Sequence, residues 1–122
     1  MTRRLAVLVA FSLFATTAHA QSLNDLLGDL TAQMGRSNDE GQATIAALNA
    51  GDLSGACRHV AARGGYLDAA SRDLEAMQSG LDASTTMSDA ARADWQYHIT
   101  DAKGSVAQLA NANNANQSRY CA

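Results

Sequence analysis

The sequence contains no proline, so no position interrupts a helix through a missing backbone N–H group. A chain without proline favours long helices and is unfavourable to a fold rich in loops. Aromatic side chains make up only 5% of the residues. This scarcity, together with abundant alanine, predicts a thin aliphatic core in which helices approach one another closely.

The first twenty residues have the pattern of a secretory signal peptide. Arg3 and Arg4 form a basic start, and the apolar run Leu5 to Phe14 is too short to span a bilayer. Ala18 and Ala20 supply a small-x-small cleavage site. We therefore predict a signal peptide that is removed, and a mature protein that is periplasmic or secreted and has no stable membrane anchor.

The predicted mature protein, residues 21–122, is long enough for one modest core and too short for two, which predicts a single domain. Of nine basic side chains, two lie in the signal, so seven remain against twelve acidic ones and the net charge is −5. Nucleic acid and anionic lipid require clustered Lys and Arg, so this charge argues against both as partners. Another protein, or a second copy of the chain, is the partner we expect.

Cysteine is almost absent, and the two that occur are Cys57 and Cys121. An exported chain with an even, low number of cysteines usually pairs them, so we predict a structural bridge within one chain. Two free thiols, or a bond to another chain through Cys121, are the alternatives. No cysteine follows the predicted cleavage site, and a lipid anchor is therefore not expected.

Apolar periodicity and capping signals predict an all-α fold, a small bundle of three to four helices built on an antiparallel hairpin and closed by one disulfide. The predicted segments are an N-terminal amphipathic helix over 21–35, a short helix over 38–50, a hairpin of helices over 53–81 and 88–112, and a tail over 113–122.

Local signals set the predicted breaks between the first helices. Gly35 is expected to end the first helix, and Ser37 and Glu40 have the Ser-x-x-Glu spacing of a capping box, in which each side chain bonds the backbone amide of the other. Gly51 suits the left-handed position after a helix, and Asp52 can cap the next helix at once.

The hairpin is predicted from a seven-residue repeat. Its first helix carries two apolar series, interrupted by one arginine: Leu53, Val60, Leu67, Leu74 and Leu81, with Ala56, Arg63, Ala70 and Met77. Its second helix carries a matching stripe: Trp95, Ile99, Ala102, Val106 and Leu109. The asparagine-rich end that follows has low helix propensity, so we expect it to fray unless Cys121 holds it.

No motif for nucleophilic catalysis, covalent haem attachment or phosphate binding occurs, so we predict neither an enzyme nor a cofactor. Asp94, His98 and Asp101 share one helix face and could contact a divalent cation. The alternative, a solvated acidic face, is the interpretation we adopt, and no metal site is predicted.

The sequence favours an exported helical protein that acts as a protein-interaction or structural module of the bacterial periplasm. One version has the Ser22 to Met34 helix docking on a partner; in the other, this helix covers the hairpin. The alternative function is a carrier of a small ligand or metal, using the bundle interior or the face of Asp94, His98 and Asp101.

Overall fold

The computed structural model describes residues 22–122; the predicted signal peptide, with Ala18 and Ala20, lies outside them. The described part contains three α-helices and no strand: α1 (Leu23–Asn49), α2 (Leu53–Ala83) and α3 (Asp89–Tyr120). The predicted all-α fold is confirmed, with three helices and one disulfide. None of these helices is long and apolar enough to cross a membrane.

The central helix is α2, because α1 and α3 both pack against it while no backbone contact joins α1 to α3 in the described residues. The seven-residue repeat of α2 forms most of the core. Its buried members are each at most 2% exposed: Ala56, Val60, Leu67, Ala70, Leu74, Met77 and Leu81. Leu53, which the repeat also includes, stands at the first position of α2 and is 59% exposed.

The predicted division into helices 21–35 and 38–50 is wrong, because α1 continues through Gly35 without a break. One glycine inside a helix costs only about 1 kcal/mol relative to alanine, and packing along α2 offsets this. The capping-box interpretation fails for the same reason. Ser37 and Glu40 point to α2: the Ser37 hydroxyl accepts from Arg63 Nε at 3.3 Å, and Glu40 Oε1 lies 2.6 Å from His59 Nδ1.

The turn between α1 and α2 forms as the sequence predicts. Gly51 has a φ of +72°, a conformation that residues with a Cβ rarely adopt. Asp52 then caps α2, its carboxylate accepting from the Gly55 backbone N–H at 2.8 Å. The tight turn places α1 and α2 side by side and antiparallel.

The predicted tail over 113–122 is also wrong, since α3 is helical to Tyr120. Asn113 is buried and its Nδ2 donates to the Val60 carbonyl oxygen at 3.0 Å. Beyond it, Cys121 is bonded to Cys57. These two contacts hold the asparagine-rich segment along α2, which compensates for its low helix propensity.

Arg92 closes the turn between α2 and α3. Its guanidinium donates to the backbone carbonyls of Leu81 and, at 2.7 Å, Ser84. These carbonyls belong to the C-terminal end of α2, where a positive charge is favourable and where carbonyls have no helical partner. Arg92 therefore ties the start of α3 to the end of α2.

Replacing Arg92 by methionine, which keeps the aliphatic stem and removes the donors, should lower the free energy of unfolding by about 1 kcal/mol. Urea unfolding followed by circular dichroism measures this change. Lys103→Met, an exposed basic position on the same helix, is the matched control and should change stability little. Equal values for both variants would show that the Arg92 contacts do not stabilise the turn.

Candidate functional site

The outer helices leave a groove on one face of α2, near the turn that joins α2 to α3. Because α1 and α3 pack on α2 without backbone contact between them, side chains of all three helices face a shared space of about 400 Å³. The residues that line it are mostly apolar: Asn24, Leu27, Leu30, Leu74, Met77, Asp94, Trp95, His98 and Ala102.

Helical spacing explains why these residues meet. Side chains three or four positions apart share a helix face, as Leu27 and Leu30 do on α1 and Leu74 and Met77 on α2. Leu74 and Met77 are at most 2% exposed and form the floor, whereas Leu27 on the α1 wall is 42% exposed. Trp95, on the opposite wall, is half-buried. The groove is therefore an apolar surface that the fold leaves partly open to water.

Two ionisable side chains stand on the α3 wall of the groove. His98 Nε2 lies 3.5 Å from Asp94 Oδ1, and the two side chains are 64% and 75% exposed. The Tyr97 ring meets the His98 ring edge to face, with centroids 5.4 Å apart. The structure thus brings Asp94 and His98 together at the groove but leaves Asp101 outside its lining.

In the part of the chain that the structure describes, no three His, Cys, Asp or Glu side chains converge as a metal site would require. The face of Asp94, His98 and Asp101 therefore supplies a pair and not a set of three ligands. His59, the other histidine in this part, is engaged elsewhere, with Glu40 of α1.

The predicted bridge joins Cys57 near the start of α2 to Cys121 at the end of α3, with Cα atoms 5.1 Å apart. This spacing is ordinary for a disulfide. The bridge closes the end of the hairpin that is remote from the groove.

A pair of carboxyl groups, which the sequence analysis missed, lies between α1 and α2. Asp73 Oδ2 is buried and has no hydrogen-bond donor among the described residues. Burial raises the pKa of Asp73 from 3.8 to about 6; the hydrogen bond that protonated Asp73 can donate to Asp29, and charge repulsion from Asp29, act in the same direction, against an opposing effect of Arg72. The signal was available, because Asp73 shares the helical face of Ala70 and Met77.

No protein-family model, curated protein or solved structure matches this chain. Over residues 22–122 the geometry is that of an all-α protein in which three helices pack together, with one disulfide and two turns holding both outer helices on a central one.

Proposed function

We propose that the chain is an exported binding protein that carries a small, mostly apolar ligand in the groove between α1 and α3. The observation that carries the proposal is the groove itself, whose volume of about 400 Å³ falls in the range of small-molecule sites, roughly 300 to 1,000 Å³. The sequence suggested two separate locations for a carrier, the bundle interior and the helix face of Asp94, His98 and Asp101. Two residues of that face, Asp94 and His98, line the groove.

The composition of the groove supports a ligand with a large apolar part. Leu27, Leu30, Leu74 and Met77 present aliphatic or thioether surface, and Trp95 adds an aromatic wall. Each square ångström of apolar surface removed from water contributes about 25 cal/mol. An apolar ligand would gain this free energy mainly at Leu27 and Trp95, because Leu30, Leu74 and Met77 are already buried.

Export to the bacterial periplasm or the cell exterior is part of the proposal. The basic and apolar pattern of residues 1–20 and the predicted cleavage site at Ala18 and Ala20 support it. The bond between Cys57 and Cys121 is compatible with an oxidising compartment, where disulfides persist.

A second candidate function is protein interaction through the same groove, with an amphipathic helix of a partner lying between α1 and α3. The 42% exposure of Leu27 and the separation of α1 from α3 favour it, because a helix there would complete a four-helix arrangement. The Ser22 to Met34 segment, which the sequence suggested could dock on a partner, packs on the core through Leu26 and Leu30.

The test uses 1-octanol as the apolar probe and the fluorescence of Trp95, the only tryptophan of the chain. We expect a saturable spectral shift, and we expect Ala102→Leu, which places three extra carbons in the groove, to weaken octanol binding about tenfold. Ala93→Leu adds the same bulk on α3 at an exposed position outside the groove lining and should bind octanol as the unchanged protein does.

Absence of octanol binding up to millimolar concentration would contradict the carrier proposal, as would equal binding by both leucine variants. A synthetic amphipathic helical peptide separates the two candidates. If the peptide shifts the Trp95 spectrum and octanol does not, the groove is a protein-docking surface.

A further inference from the structure

The charge on the groove wall restricts the class of ligand further than its apolar floor does. Of the side chains that line the groove, Asp94 is the only acidic one, and neither lysine nor arginine is among them. Asp101 adds a second carboxylate to the same helix face, two turns beyond Asp94. A ligand in the groove therefore meets apolar surface on its floor and carboxylate charge at its edge.

Asp94 is free to receive a ligand group. Its side chain is 75% exposed, and the contact with His98 Nε2, at 3.5 Å, is longer than a good hydrogen bond. Asn24 of α1, across the groove, adds an uncharged amide to the lining. A cationic headgroup next to Asp94 would be attracted, whereas an anionic headgroup would be repelled and would depend on His98 alone.

Resting on the proposed function, we infer that the groove selects amphiphilic amines: ligands with an apolar chain or ring system and a positively charged ammonium head that pairs with Asp94. The apolar part of such a ligand lies between Leu27 and Trp95, above the buried Leu74 and Met77, and its head lies at the α3 wall. Fatty acids of the same length carry the wrong charge for this site.

Three octyl compounds that differ only in the head test the inference: octylammonium, 1-octanol and octanoate, each titrated against the full mature chain at neutral pH and low salt. We expect octylammonium to bind about two- to fivefold more tightly than octanol, and octanoate to bind more weakly than octanol. Salt at 0.5 M should reduce the spread, because exposed charges are screened.

Asp94→Asn should remove the preference for octylammonium over octanol and leave octanol binding unchanged. Asp101→Asn removes the same charge from the same helix outside the groove lining, so it should retain most of the preference. Circular dichroism of each variant checks that the helices are intact.

The outcomes separate this inference from the function on which it rests. If all three compounds bind equally, or if octanoate binds most tightly, the inference is overturned while the carrier function stands. If none of them binds, the carrier function fails. Loss of the preference in both asparagine variants alike would assign selectivity to the overall negative charge and would overturn the role of Asp94.

Discussion

Replacing Cys57 and Cys121 together by serine is expected to lower the free energy of unfolding by about 4 kcal/mol. The two residues are 64 positions apart in the chain, and a bridge that closes a loop of this length restricts the unfolded chain by about that amount. A domain of about a hundred residues has a total stability on the order of 5 to 15 kcal/mol. The variant should therefore unfold at a much lower urea concentration.

Equilibrium urea unfolding by circular dichroism measures the loss, and the reduced unchanged protein is the matched control. The double variant and the reduced protein should agree closely. Once the bridge is lost, amide hydrogen exchange in α3 should be fastest between Asn113 and Tyr120, because this segment has low helix propensity. A loss below about 1 kcal/mol would mean that helix packing alone holds this end of α3.

The part of the fold that could be predicted is the part that repeats. Val60, Leu67, Leu74 and Leu81 recur every seven residues and are all buried, because a period close to that of the α-helix places them on one side. The turn at Gly51 was equally readable, since few other residues adopt its backbone conformation. Regular spacing and special backbone positions are properties that a single sequence displays.

The errors lie where a local signal competes with packing that only the fold reveals. Gly35 and the Ser37 to Glu40 spacing are ordinary signs of a helix boundary. Yet the side chains of Ser37 and Glu40 contact Arg63 and His59 on α2. A continuous α1 therefore gains contacts that a break at Gly35 would lose. The end of α3 is similar, because Asn113 gains a buried partner, the Val60 carbonyl.

The groove was only half predictable. The sequence placed Trp95 and Ala102 on the apolar stripe of α3, facing α2. Whether α1 would cover that stripe depends on how α1 crosses α2, which periodicity does not specify. The backbones of α1 and α3 do not come into contact, and Trp95 stays half-buried as a wall of the groove.

Asp73→Asn is expected to raise the free energy of unfolding by about 2 kcal/mol at pH 7. The folded protein holds the pKa of Asp73 at about 6, above the ordinary 3.8, chiefly through burial and then through Asp29. Folding therefore favours the neutral carboxyl, so the contribution of Asp73 to stability is most favourable at low pH and falls as pH rises from about 4 through 6. Converting the change in pKa gives about 3 kcal/mol, which partial exposure to water reduces.

Asparagine removes this penalty because its amide group is neutral at every pH and donates a hydrogen bond to Asp29, as a protonated Asp73 does. Urea unfolding between pH 4 and 7 should show a smaller fall in stability for Asp73→Asn than for the unchanged protein, with the two converging near pH 4. Asp68→Asn, at an exposed position of α2, should leave the fall intact. If Asp73→Asn and the unchanged protein lose the same stability over this range, the carboxyl pair does not control how α1 and α2 respond to pH.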